Sequence, residues 1–212
     1  MTTLLRRFTW LILFGMAIAA AHAQPVAGRD YLVLDPPQPV ASAERVEVIE
    51  FFSYGCPVCY AVEPYLTRWL MKRGADIEFR RVPSTLPPAW APFARLYFAL
   101  EANGLLTRLH WPVFDNHHFD GRRLNSEKNL FEWLSRNGVD ALAFRDLMNS
   151  DGVNAKMVEA RELLDTYDIQ GVPTFVVDGR YVTSARMAGG VEEAVQLVEV
   201  LVEQARRERS AK

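Results

Sequence analysis

The sequence predicts an α/β fold in which one sheet carries helices on both faces and is interrupted by an all-helical insertion. Three observations lead there. Residues 46–82 read strand, helix, strand, a βαβ unit. Residues 87–167 lose the strand pattern and read as successive helices. Beyond them the strand pattern returns as a hairpin followed by one amphipathic helix.

The chain opens with Arg6 and Arg7, an apolar run from Trp10 to Ala21, and Ala21-His22-Ala23. A basic start, an apolar middle and a small-x-small step form the pattern of a secretory signal peptide, residues 1–23. The run is shorter than the ~20 residues that span a bilayer as a helix; an uncleaved anchor is the alternative reading. Cleavage after Ala23 removes two arginines and no acids, taking the formal net charge from −2 to −4. In residues 24–45 four prolines surround Tyr31–Leu34, a short edge strand. Residues 46–52, Val-Glu-Val-Ile-Glu-Phe-Phe, are β-branched or aromatic on both parities, as in a strand buried on both faces.

After Ser53-Tyr54-Gly55 a helix begins with Pro57 at a first position, where no N–H is needed. Val58, Val62, Tyr65, Leu66, Trp69 and Leu70 share one face, Pro64 is expected to kink the helix, and Lys72, Arg73 and Gly74 end it. Residues 76–82 alternate as a strand. Leu86-Pro87-Pro88 mark a boundary, and helices are expected over 94–102, 111–118, 130–137, 141–149 and 153–167. Their aromatics, Trp90, Trp111, Phe114, Phe119, Phe131 and Trp133, are expected in the core. Thr174–Val177 and Tyr181–Thr183 flank Asp178-Gly179, a two-residue hairpin signal, and residues 190–207 form the last helix, with Arg206-Arg207-Glu208-Arg209 as a solvated end. The expected organisation is 24–86 and 168–212 as two parts of one domain, with 87–167 inserted between them.

Composition narrows the chemistry. Half of the 212 residues are hydrophobic and the net charge is −2, so a core is available and nucleic acid is not the expected partner. Two cysteines exclude a disulfide-dense scaffold and a four-cysteine zinc site. Export carries Cys56 and Cys59 into an oxidising compartment, where a disulfide persists. The loop it closes is so short that it restrains the unfolded chain little, so a chemical role outweighs a structural one. A metal half-site would need further ligands, for which His117-His118, expected on a helix surface, is the one candidate pair; no metal and no cofactor are expected.

Cys56-Pro57-Val58-Cys59 lies between a buried strand and a helix start. Cys56 should face unpaired backbone N–H groups and the positive end of the helix dipole, which favour thiolate and place its pKa below ~8.5. Cys59, one turn further in, should be the less exposed, resolving partner. Glu50 sits inside the apolar strand. It reads either as a solvent-facing or edge carboxylate or as a partly buried acid near Cys59, its pKa raised, moving that thiol's proton.

The stretch Val48-Ile-Glu-Phe-Phe-Ser-Tyr-Gly-Cys-Pro-Val-Cys59 resembles the active-site region of the DsbA family of thiol:disulfide oxidoreductases, and Gly171-Val-Pro-Thr-Phe175 resembles that family's loop facing the cysteines. The order of elements is similar over essentially the whole chain from Gln24. The resemblance implies a thioredoxin fold with an all-helical insertion. It also implies a cis Val172–Pro173 bond that presents the Val172 backbone to an extended substrate, and a catalytic acid at the place of Glu50. The implied activity is a periplasmic dithiol oxidase acting on reduced exported polypeptides, reoxidised by a DsbB-like, quinone-linked membrane partner; a monomer is expected. Pro57 and Val58, between the cysteines, should tune the sulfurs. The family's best-known motif has His where this chain has Val58, so a milder oxidant is expected here. The rivals are a reductase or isomerase of the same superfamily, the latter disfavoured because residues 24–55 leave little room for a dimerisation module before Cys56, and a redox-inert chaperone.

Overall fold

The computed structural model describes residues 24–211; the expected signal peptide lies outside the described residues. In chain order its elements are β1 (Leu32–Val33), β2 (Val46–Phe52), α1 (Pro57–Lys72), β3 (Ile77–Pro83), α2 (Ala91–Ala102), α3 (Leu106–His118), α4 (Glu127–Arg136), α5 (Ala141–Met148), α6 (Asp151–Thr166), β4 (Thr174–Val177), β5 (Tyr181–Ser184), α7 (Ala185–Ala188) and α8 (Val191–Ser210). One sheet runs β1-β5-β4-β2-β3. β2 and β3 are parallel, joined through α1, and β2–β4, β4–β5 and β5–β1 are antiparallel. This is a thioredoxin fold with a helical insertion, as the sequence implied.

β2 is central and all seven of its residues are buried, which is why its sequence is apolar on both parities. Alternation splits it between two cores. Val46 and Val48 pack with Val62, Leu66 and Trp69 of α1 and with Val198 and Leu201 of α8. Ile49 and Phe51 pack under the inserted helices with Leu96, Phe114, Leu134 and Leu164. Each face of the sheet is therefore covered by helices, and the carboxyl end of β2 opens where the two cores meet.

β1 is the edge strand expected from its proline-rich surroundings, although only two residues of it pair. The inserted helices begin earlier than their apolar periodicity suggested: α2 at Ala91, α3 at Leu106, α4 at Glu127 and α6 at Asp151. The first turns of α2, α4 and α6 are polar or contain Pro92 and Gly152, so they carry little periodic signal; Ser150 caps α6 by accepting the Val153 N–H at 3.3 Å. Phe114 and Trp133 are core and Trp90 and Phe131 are partly buried, but Trp111, on the outer side of α3, and Phe119, just past its end, are 44% and 79% exposed. α1 runs unbroken through Pro64.

The hairpin needs three connecting residues rather than two. Asp178 and Gly179 both take positive φ, 55° and 62°, and the Arg180 N–H closes on the Val177 carbonyl, but strand pairing resumes only at Val177↔Tyr181. Glycine is required at 179 by position as well as by φ: a Cβ there would lie 2.2 Å from the Gln38 carbonyl oxygen. The end of α8 is not simply solvated. Arg206 holds the Asp76 carboxylate at 2.6 and 2.8 Å, Arg209 holds Asp178 and the Ala43 carbonyl, and Tyr181 donates to Glu208. These contacts fasten α8 to both ends of the sheet.

Candidate active site

Three local constraints bring the chain from β2 to the first cysteine. The Ser53 carbonyl accepts the Cys56 N–H at 3.0 Å, and the Ser53 hydroxyl accepts the Gly55 N–H at 3.1 Å. Trp90 and Phe93 of the insertion press on Gly55, where a Cβ would lie 2.6 Å from the Trp90 indole nitrogen. The turn is thus made of backbone and closed by an aromatic wall. It leaves Cys56 as the N-cap of α1, in an extended conformation at φ −94° and ψ 117°.

At that position sulfur replaces the usual capping oxygen. The Cys59 N–H donates to the Cys56 Sγ at 3.3 Å, and the Val58 N–H adds to it. Pro57 at the first helical position has no N–H to compete. The Cys56 pKa is lowered to about 7, chiefly because the Cys59 thiol donates to its sulfur, aided by these backbone groups and opposed by burial. Cys59 is inside, with no exposed surface, and burial first of all pushes its thiol well above the ordinary value. The two sulfurs of one turn are therefore driven in opposite directions, in the order expected from the sequence.

The loop before β4 closes over Cys56. Its Sγ lies 3.4 Å from the Val172 carbonyl oxygen, the Val172–Pro173 bond is cis, and the Thr174 hydroxyl donates to the Gly171 carbonyl at 2.7 Å. Beside this loop a cleft of about 420 Å³ is lined by Val58, Ile169, Val172, Pro173, Val182 and Met187 together with the polar Asp168, Gln170, Thr174, Ser184 and Arg186. Val58 is 42% exposed, so it belongs to the rim of this cleft and not to the buried face of α1 on which periodicity put it.

Glu50 is wholly buried, so it is not a solvent-facing or edge carboxylate. Parallel pairing sets Glu50 opposite Arg81 on the same face of the sheet, and Arg81 Nε donates to Glu50 Oε2 at 2.8 Å. Arg81 Nη2 also donates to Glu63 of α1 at 3.0 Å, and His110 of α3 joins Glu63 Oε1 to the Tyr54 hydroxyl at 3.1 and 2.8 Å. Burial raises the Glu50 pKa to about 8; Arg81 opposes this and Glu63 reinforces it. Burial also acts to raise Glu63, but hydrogen bonding from His110 and the Arg81 charge outweigh it and hold that carboxyl below the usual range. Buried charges survive here because each is matched within one network.

The sequence reading missed Arg81, Glu63, His110 and Tyr54. Glu63 lies four residues after Cys59 on the same helix face, and Arg81 follows from pairing two parallel strands in register, so both left a signal. His110 left none, because only the tertiary fold lays α3 against the start of α1. His117 and His118 are a partly buried pair at the end of α3: their rings meet the carbonyls of Arg122 and Tyr54, at 3.1 and 2.8 Å, and His118 stacks on Tyr60. Among the described residues no group of three or more His, Cys, Asp or Glu is arranged to hold a metal ion, and no helix is long and apolar enough to cross a membrane.

Brief, limiting iodoacetamide treatment of the reduced protein should label Cys56 before Cys59, with a rate that rises through pH 7 as the thiolate forms. Peptide mapping by mass spectrometry reads the site. Preferential labelling of Cys59, or a midpoint near the ordinary ~8.5, contradicts this geometry.

Comparison with known proteins agrees with the fold and the paired thiols. The model of the DSBA-like thioredoxin domain matches residues 47–201. The thiol:disulfide interchange protein DsbA of Azotobacter vinelandii is 37% identical over 197 residues, 92% of each chain. The protein of the same name from Pseudomonas aeruginosa is 36% identical over 194 residues, 92% of this chain and 91% of that one. The crystal structure of Pseudomonas aeruginosa DsbA aligns with a TM-score of 0.82 at 34% identity, over 87% of this chain and 96% of that chain. The chain belongs to the DsbA-like family of thiol:disulfide oxidoreductases.

Proposed function

We propose that this protein works in the oxidising direction, introducing disulfides into reduced, extended polypeptides exported to the periplasm. The observation that carries the proposal is Cys56 as N-cap. Its thiolate is favoured first by the Cys59 thiol and then by the helix-end N–H groups, which stabilises the reduced enzyme and makes its disulfide readily reduced.

In the first step a substrate thiolate attacks the Cys56 sulfur of the Cys56–Cys59 disulfide. The S–S bond breaks, a substrate–Cys56 disulfide forms, and Cys59 leaves as a thiolate that takes up a proton. The substrate's second thiolate then attacks the substrate sulfur of this mixed disulfide, and Cys56 leaves as the stabilised thiolate. Two electrons pass from substrate to enzyme, which ends as the dithiol. Glu50 is the acid that supplies and recovers the Cys59 proton. Val172 and Pro173 form the docking edge: the Val172 backbone meets an extended substrate, with the cleft beside it. Pro57 and Val58 tune the sulfurs. A cleft of mixed apolar and polar lining beside a backbone docking edge suits broad substrate choice. The N-terminal signal pattern supports export, and reoxidation falls to a DsbB-like, quinone-linked membrane partner; the protein acts as a monomer without cofactor or metal.

Oxidation of a two-cysteine test peptide by the preoxidised protein tests the direction. Stoichiometric peptide disulfide with matching loss of the Cys56–Cys59 bond is expected. Efficient insulin reduction with poor peptide oxidation would favour the reductase, and no exchange in either assay would favour a chaperone.

Val58→His adds a cation and a donor beside Cys56, so its pKa should fall and the reduction potential should rise together. The conversion is ~30 mV for each pK unit. Thiolate absorbance gives the first quantity and glutathione equilibration the second. A lower pKa with an unchanged or lower potential would mean that thiolate stabilisation does not set the oxidising power.

A further inference from the structure

His110 is the only member of the buried network that comes from the helical insertion, and the disulfide chemistry described above makes no use of it. Glu63 Oε1 accepts from both Arg81 and His110, so His110 Nε2 carries the hydrogen and Nδ1 accepts from the Tyr54 hydroxyl. Tyr54 stands two residues before Cys56 and Glu63 four residues after Cys59, so one ring braces both sides of the motif. The ring is itself caged by Phe52, Tyr97 and Phe114, and burial before all else favours its neutral form.

This arrangement matters to Glu50 because Arg81 is shared. Arg81 faces two carboxylates with one charge. Whichever carboxylate is better stabilised as the anion keeps the guanidinium as counter-ion, and the other has reason to hold a proton. The His110 N–H tips that choice toward Glu63. Consistent with this, Glu50 Oε1 is buried without a hydrogen-bond partner, a free oxygen on which a proton can sit. The charged and titratable groups around Glu50 are Arg81 from β3, Glu63, Cys56 and Cys59 from α1 and its cap, Tyr97 from α2, and Tyr54 from the turn before Cys56. His110 reaches Glu50 only through Glu63 and Arg81.

We propose that His110 is a positioning residue for disulfide exchange: its Nε2–H fixes Glu63 as the partner of Arg81 and thereby keeps Glu50 protonated and ready to serve Cys59. The proton account balances. When substrate breaks the disulfide, Glu50 gives its proton to the leaving Cys59 sulfur and becomes a carboxylate, which is reprotonated from solvent. In reoxidation Glu50 first releases that proton to solvent, and its carboxylate then takes the Cys59 proton as the Cys59 sulfur attacks a mixed disulfide at Cys56, leaving Glu50 protonated for the next cycle. The inference rests on the proposed role of Glu50, and its test separates the two.

The test is carboxyl-carbon NMR titration of Glu50 in the reduced full chain, assigned with Glu50→Gln, in wild type, His110→Leu and His110→Gln. Leucine removes the donor to Glu63, so the Glu50 midpoint should fall by about one pH unit, whereas glutamine keeps a donor and should hold it near the wild-type value. An unmoved midpoint in His110→Leu, or an equal fall in both variants, overturns the proposal. If the leucine variant does not fold, Glu63→Gln tests the same link. Arg81 is then left to Glu50 alone and the midpoint must fall; no fall overturns the proposal. Peptide oxidation by the wild type, read at the same time, reports on the Glu50 and Cys56 reading itself: if it fails while the midpoints shift as expected, the function is wrong and the His110 coupling stands.

Discussion

The Cys59 N–H directed at the Cys56 sulfur is the contact on which the site depends. A helix leaves its first N–H groups without internal partners, and a hydroxyl or carboxylate oxygen usually accepts one of them. Here a thiol occupies the cap, and the group that completes the helix also favours the thiolate. Cys59 thus serves Cys56 twice: its N–H completes the cap, and its thiol, the larger effect, favours the thiolate. The geometry follows from β2 ending where Trp90 leaves room only for Gly55, and from Pro57 starting the helix one residue after the cysteine.

Beneath that cap the fold places groups that an apolar core would exclude. Isolated, a buried carboxylate is unstable. Glu50 is tolerated because the parallel register of β2 and β3 puts Arg81 beside it, and because it can remain neutral. Glu63 and His110 extend the same network from α1 and α3, so the sheet, the active-site helix and the insertion meet around one set of charges. Burial raises both Glu50 and Cys59, so the neutral forms of the acid and of the inner thiol are favoured within one site.

What was legible in the sequence was local. The both-parity apolar run of β2, the Pro57 start of α1 and the Asp178-Gly179 turn each carry their signal within a few residues. That Cys56 caps the helix while Cys59 lies buried one turn inside follows from the helix start alone. Less legible was anything set by contact between distant segments. Trp111 and Phe119 are aromatic yet exposed, because exposure depends on which way α3 faces and where it ends. Arg206 and Arg209 read as a solvated tail, but their carboxylate partners come from 130 and 31 residues away. Val58 fell on the apolar face by spacing and on the cleft rim in space, since the first turn of α1 projects beyond the sheet. His110 belongs to the same class.

The central claim is that the folded chain prefers its reduced form because Cys56 is held as a thiolate. Denaturant unfolding of the reduced and the oxidised protein, followed from pH 5 to pH 9, tests it most directly. A thiol whose folded pKa, about 7, lies below its unfolded value contributes stability above the unfolded pKa, and that contribution is lost as pH falls through 7. The reduced form should therefore be the more stable at pH 8–9, with its advantage shrinking toward pH 5. An oxidised form that is more stable at every pH, or a difference that does not change with pH, would contradict the account.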